Sequence, residues 1–260
     1  MKTEVTEVLG KSSARKQNGE PVIEIVSLKK SFGSQVVLKN ISLTLNNGEN
    51  LVVLGKSGSG KSVLIKCIVR LLHSDEGIIN VFGQNVSTIN ANELGIMRQK
   101  IGFLFQSGAL YDSMTVKQNL EFPLQRIKKQ LTTKQMDEKI LMVLDQVGLA
   151  DALNKMPSQL SGGMRKRISL ARTLVVDPMI MLYDEPTTGL DPVTSDEISA
   201  LINEVQKTYK TSSIIITHDI KCATQTANRM IMLADGEVYK EGPLADFGKS
   251  DDPLIKSFFN

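Results

Sequence analysis

Residues 55–62 read GKSGSGKS. They fit the spacing G-x-x-x-x-G-K-[ST] and stand between an apolar run, NLVVLG (50–55), and a helical pattern, KSVLIKCIVRLL (61–72). Such a segment needs that context: a strand, a tight turn, then a helix. Glycines let the backbone curl so that successive N–H groups face one point, and the helix N-terminus adds the positive end of its dipole. Both features suit phosphate oxygens. Gly55, Lys56, Ser57, Gly58, Ser59 and Gly60 are therefore expected to cradle the phosphates of a nucleotide. Lys61 would meet the β- and γ-phosphates, and the Ser62 hydroxyl would ligate Mg²⁺.

A second acidic strand lies further along, in MIMLYDEPTTGLDP (179–192). An apolar strand buried in a parallel sheet delivers its last residues to the C-terminal edge of that sheet, where ligands sit. Asp184 would hold Mg²⁺ there through water, and Glu185 would take a proton from the attacking water. His218 follows the apolar run SIIIT (213–217) and reaches the same edge, where an imidazole can contact the γ-phosphate or orient the water.

Around these pieces the pattern is regular. Short β-rich runs come first, in VIEIVSLKKSF (22–32) and VVLKNISLTL (36–45), with strand-like IINVFG (78–83) and IGFLFQ (101–106) after the first helix. From residue 160 helix and strand alternate: helix 164–176, strand 180–183, helix 193–209, strand 213–217, helix 219–227 and strand 229–235. Short links between alternating elements imply a parallel sheet covered on both faces. The expected fold is thus α/β; together with the phosphate loop it resembles a P-loop NTPase (RecA-like) core, preceded by an N-terminal antiparallel β subdomain. A helical block from about 107 to 177, including TKQMDEKILMVLDQVGL (133–149), reads as an insertion. Residues 1–20 read as a mobile polar arm, 21–243 as the domain built around the phosphate loop and 244–260 as a tail.

Composition narrows the class. Apolar residues make up 41% and charged residues 23%, as in an ordinary globular chain. No apolar run approaches the roughly 18 residues of a membrane helix, and the N-terminus lacks the apolar region of a secretory signal. A net charge of +3 is too small to argue for nucleic acid. Cys67 and Cys222 sit in apolar segments without metal-type spacing and read as buried free thiols.

There remains SQLSGGMRKR (158–167). Phosphate loop, Ser-Gly-Gly signature, Asp-Glu strand and following histidine, in this order, resemble an ATP-binding cassette (ABC) ATPase from about 22 to 242. The resemblance implies further roles. Phe32 would stack on adenine, Gln106 would touch Mg²⁺ and the water, and Asp191 would communicate between two ATP sites. Two copies would pair head to tail, Ser161, Gly162 and Gly163 of each capping the ATP held by the other's phosphate loop. The helix expected near Met164 would point its positive end at the γ-phosphate. On it Met164, Ile168, Ala171 and Val175 recur at helical spacing and should pack inward. Arg165, Lys166 and Arg167 would reinforce the positive field, at least one of them being only a solvated charge.

Position 164 is methionine where the family's usual signature has glutamine. LSGGM, FQSGALYDSMTVKQN (105–119) and DDPLIKSFF (251–259) resemble the ATPase subunit of Mla-type phospholipid transporters. That branch implies integral membrane permease subunits, an MCE-domain lipid-binding protein and a peripheral place on the cytoplasmic face of the inner membrane. Thr115 reads as the cap of a helix carrying Val116 and Leu120, at the place where the family receives a permease's cytoplasmic helix. One alternative is the ATPase of an importer for amino acids or metal chelates. Another is a cassette acting on DNA or ribosomes, but such proteins carry coiled-coil insertions or two cassettes. Here 53 residues without sustained heptads separate Gln106 from Leu160, so no nucleic-acid partner is expected.

Overall fold

The computed structural model describes residues 21–259; the expected arm over 1–20 lies outside the described residues. Two sheets form the frame. The first is antiparallel, in the order β2 (Gln35–Leu45), β1 (Ile23–Phe32), β4 (Glu76–Val81), β5 (Gln84–Asn85). The second runs β10 (Glu237–Gly242), β9 (Arg229–Ala234), β3 (Asn50–Leu54), β8 (Ser212–Thr217), β7 (Ile180–Asp184), β6 (Ile101–Leu104). Its strands are parallel except β10, which closes the edge antiparallel to β9.

Helix α1 (Lys61–Ile68) follows β3, and α2 (Ala91–Gln99) precedes β6. Between β6 and β7 come α3 (Val116–Ile127), α4 (Thr133–Gln146) and α5 (Gly162–Leu174). Then α6 (Pro192–Tyr209), α7 (Ile220–Thr226), α8 (Leu244–Gly248) and α9 (Pro253–Phe259) complete the chain. Among the described residues no helix is long and apolar enough to cross a membrane.

Side chains alternate across a strand, and the parallel sheet uses both faces fully. Leu51, Val53, Ile180, Leu182, Ile214 and Ile216 join a core shared with α1 and the antiparallel sheet. Val52, Leu54, Met181, Tyr183 and Ile215 join a second core on the opposite face. That second core is continuous with the helical block: Leu120 and Leu124 of α3, Ile140 and Val143 of α4, and Ile168 and Ala171 of α5 belong to it. Ile168, Ala171 and Val175 are buried as their spacing requires, and Met164 packs on the core's margin. Cys67 and Cys222 are buried free thiols pushed up to about 11 by burial, which keeps them protonated and inert at neutral pH.

Several boundaries differ from the sequence reading, each for a local reason. Helix α1 stops at Ile68, and Arg70 takes a left-handed turn (φ 52°) that sends its guanidinium to the carbonyls of Val86 and Ile89. Helix α5 begins at Gly162, two residues before the expected start, because the Ser161 hydroxyl accepts the Met164 N–H at 3.2 Å and caps it there. Thr115 caps α3 through a capping box with Gln118, as expected.

Tyr183 is fully buried in β7, and among the described residues its hydroxyl has no hydrogen-bond partner. Burial holds the phenol far above its ordinary titration range. An unpaired buried hydroxyl costs about 1–3 kcal/mol, while the ring fills its space. Tyr183→Phe is therefore expected to raise the stability by about 1 kcal/mol in urea unfolding, whereas a less stable variant would mean that the hydroxyl is satisfied in solution.

Candidate active site

The loop after β3 is built from conformations that only glycine takes freely. Gly58 (φ 82°) and Gly60 (φ 96°) are left-handed, and Gly60 stands at the N-cap of α1. A Cβ on Gly60 would lie 2.6 Å from Leu38 Cδ2 and 3.1 Å from the Val37 carbonyl, so no other residue fits. The first N–H groups of α1 have no partner within the helix and face outward from its tip. Lys61 is buried to 6% exposure, and its ammonium donates to the carbonyls of Gly55 (2.6 Å) and Lys56 (3.0 Å). Burial pushes its pKa below the ordinary lysine value, against the attraction of Glu185, whose Oε1 is 3.6 Å away.

A cleft of about 390 Å³ opens over this loop, and Ser57, Gly58, Gly60, Lys61 and Ser62 line it together with Gln106, Glu185 and His218. The sequence-predicted residues from four separate segments thus meet in one place. Gly55, Lys56 and Ser59 do not line the cleft; the first two lie behind it and hold Lys61.

On the floor, the Ser62 hydroxyl donates to Asp184 Oδ1 at 2.8 Å. A hydroxyl and a carboxylate so close are two hard oxygen donors aimed at one point, which fits Mg²⁺ held by few protein oxygens plus phosphate oxygens. Among the described residues no group of three or more His, Cys, Asp or Glu could hold a metal unaided.

Glu185 leaves the strand geometry. Its φ of 50° is left-handed, a conformation that costs a non-glycine residue of order 1–3 kcal/mol. The surroundings hold it there. Its N–H donates to the Ile216 carbonyl at 2.9 Å, and Oε2 accepts from the Thr188 hydroxyl at 3.1 Å and from His218 Nδ1 at 2.8 Å. The turn carries the carboxylate across the sheet edge to His218, whose ring faces the cleft. Asp219 fixes the next turn by capping α7 and accepting from the Thr187 hydroxyl at 2.9 Å.

The signature residues lie elsewhere. Ser161 and Gly162 are exposed at the tip of α5, and neither they nor Gly163 line the cleft of their own chain. A Cβ on Gly163 would lie 2.5 Å from Thr194 Cγ2, so this glycine lets α5 approach the start of α6. There Asp191 caps α6, accepting from the Thr194 N–H (3.0 Å) and hydroxyl (2.6 Å), which hold its carboxyl below the usual range. Phe32 is also outside the cleft, half-exposed at the end of β1 with the Lys30 ammonium 5.3 Å from its ring centre.

The three basic residues of the signature helix separate. Arg165 is exposed, and Arg167 pairs with Glu197 of α6. Lys166 is 6% exposed and points inward, donating to the main-chain carbonyls of Gln106 (2.6 Å) and Glu185 (3.3 Å). Arg165 fits the expectation that at least one of the three is only a solvated charge, whereas Lys166 is buried. A sign was present in the sequence: Leu170 and Leu174, at four and eight residues from Lys166, are fully buried on that same side.

A family profile described as "ABC transporter" matches residues 38–188. The probable ribonucleotide transport ATP-binding protein mkl of Mycobacterium tuberculosis is 40% identical over 238 residues, 92% of this chain and 66% of that protein. The chain thus spans just under two thirds of the length of this relative. The chloroplastic protein TRIGALACTOSYLDIACYLGLYCEROL 3 of Arabidopsis thaliana is 34% identical, covering 95% and 76% of the two chains. The methionine import ATP-binding protein MetN of Legionella pneumophila is 35% identical, covering 90% and 68%. Among solved structures, a dimeric ATP-binding cassette in a post-hydrolysis state bound to ADP and Pi superimposes with a TM-score of 0.78 at 32% identity, over 85% of this chain and 98% of that one. The cradle over β3 and α1 and the Ser62–Asp184 pair fit ATP with Mg²⁺. The chain belongs to the ABC transporter family, as one of its nucleotide-binding ATPase domains.

Proposed function

We propose that this chain hydrolyses ATP as half of a head-to-tail homodimer and so powers a membrane transporter for phospholipids or related lipids. One observation carries the dimer: the tip of α5 is exposed and capped by Ser161, yet it lies outside the cleft lined by Lys61, Gln106, Glu185 and His218. The Ser161 oxygen accepts within its own helix, so its O–H remains a free donor, and Gly162 and Gly163 add N–H groups at a positive helix end. A second copy brings that end to the phosphates. The dimeric cassette among the solved relatives supports this reading.

Lys61 holds the β- and γ-phosphates within the cleft, and Phe32, which lies outside it, takes the adenine ring. Bound Mg²⁺ neutralises phosphoryl charge. Ser62, Asp184 and the Gln106 side chain supply its protein ligands, Asp184 through water. Glu185 accepts the proton of the attacking water, and His218 orients the carboxylate through Nδ1. Asp191, at the α5–α6 contact, links the two sites. Residues 107–177 form the signature subdomain of an ATPase domain over 21–243, followed by a tail.

The lipid assignment rests on LSGGM, on FQSGALYDSMTVKQN and on the relative whose name contains a galactosylated diacylglycerol. The partners we propose are permease subunits, docking a cytoplasmic helix beside α3, and an MCE-domain protein, with the complex at the cytoplasmic face of the inner membrane. The MetN likeness favours a second reading, an amino-acid importer. Purification of the tagged chain from native membranes is expected to recover an integral permease and an MCE-domain protein. Recovery of a permease with a solute-binding protein instead would establish the importer.

A further inference from the structure

Lys166 does something that none of the roles above explains. It sits one turn inside α5, the helix whose tip serves the partner's nucleotide, but its ammonium lies behind the chain's own cleft. We propose that Lys166 is a positioning residue for hydrolysis: bonded at once to the carbonyls of Gln106 and Glu185, it ties the signature helix to the groups that hold the chain's own attacking water. The proposal rests on the reading of Glu185 as the base.

The side chain does not line the cleft, so it acts through the backbone rather than on phosphate. Its two acceptors are well chosen. Gln106 stands in the turn just after β6, and its carbonyl is held at 2.6 Å. Glu185 is the strained residue, and its peptide is gripped on both sides: the N–H by the Ile216 carbonyl at 2.9 Å, the carbonyl by Lys166 at 3.3 Å. Keeping φ at 50° is what turns the carboxylate toward His218, so a group that pins this peptide also aims the carboxylate.

Packing alone does not call for a lysine here. Removing an ammonium from water is costly, and both hydrogen bonds of Lys166 go to uncharged carbonyls. Burial pushes its pKa below the ordinary lysine value, with Asp184 and Glu185 favouring the charged form from further off. A methionine would fill the same space without that cost. The contact between α5 and the Gln106 turn is tight as well, since a Cβ on Gly108 would lie 2.7 Å from Ser169 Oγ. Helix, turn and carboxylate therefore move as one piece with Lys166 as the link. Engagement of the α5 tip by the partner's ATP is transmitted to Gln106 and Glu185 of the chain that carries the helix.

The test compares Lys166→Met, Lys166→Arg and Glu185→Gln in the transporter complex purified from native membranes, with Mg-ATP as the probe. Lys166→Met keeps the apolar stem and removes the donors, and it is expected to lower kcat at least about 10-fold with KM and equilibrium ATP binding unchanged, as misplacement of catalytic groups does. Lys166→Arg restores charge and donors and is expected to recover kcat to within about 3-fold. Wild-type kcat in Lys166→Met beside an inactive Glu185→Gln would overturn this proposal alone. Turnover surviving in Glu185→Gln would overturn the assignment of the base, and this proposal with it. Weakened ATP binding, a melting temperature more than about 5 °C lower, or no rescue by Lys166→Arg would make Lys166 a structural residue and overturn its positioning role.

Discussion

Glu185→Gln is expected to bind ATP normally and to lose turnover by at least about 10²-fold, the lower end for general-base catalysis. The substitution changes little else. The amide has the shape of the carboxylate, and the left-handed backbone at position 185 costs glutamine what it costs glutamate. Its oxygen still accepts from the Thr188 hydroxyl or from His218, whose contacts with Glu185 are 3.1 and 2.8 Å. The amide cannot take a proton from water. Lys61 keeps its bonds to the Gly55 and Lys56 carbonyls, so the cradle survives. Steady-state phosphate release measured beside equilibrium ATP binding separates the two steps. Near-normal turnover would remove Glu185 from the role of base.

The second large effect concerns association. In the Glu185→Gln background Mg-ATP is expected to double the 28.6 kDa mass in sedimentation, because each γ-phosphate then bridges two copies and is not consumed. Adding Ser161→Arg places a long side chain on the exposed tip of α5 and deletes the hydroxyl. The cleft of the same chain contains no signature residue, so ATP binding is expected to remain while the dimer is lost. Loss of ATP binding would show that the signature touches its own nucleotide. A dimer that persists would show that other contacts hold the pair.

The phosphate loop was readable because its physics is local: left-handed glycines, a strand before and a helix after leave little freedom. The meeting of Ser62 with Asp184 followed from placing two strand ends at one sheet edge. Other features depend on geometry that a linear pattern does not carry. Helix α2 escaped notice because ANELGIMRQ has only two buried residues, Leu94 and Met97, and is announced chiefly by its Asn90–Glu93 capping box. Strand β10, EVYKEG, is a polar edge strand without a buried face. Which of Arg165, Lys166 and Arg167 faces water was left open because lysines and arginines usually do, and the carbonyls of Gln106 and Glu185 show that Lys166 does not. The left-handed turn at Glu185 left no trace in residue type.

The two-faced strands of the parallel sheet constrain which length changes the protein can inherit. In β7, Ile180 and Leu182 face one core and Met181 and Tyr183 the other, and Asp184 continues the first series toward Ser62 of α1. Deleting or inserting a single codon within 180–183 would send every following side chain to the wrong face, putting Asp184 among the apolar side chains around Tyr183. Two codons together would restore the faces but shift the acids along the edge by roughly 7 Å. A change of length in the loops or tails leaves these faces intact, whereas the four strand residues Ile180–Tyr183 before the acids cannot change in number without displacing them.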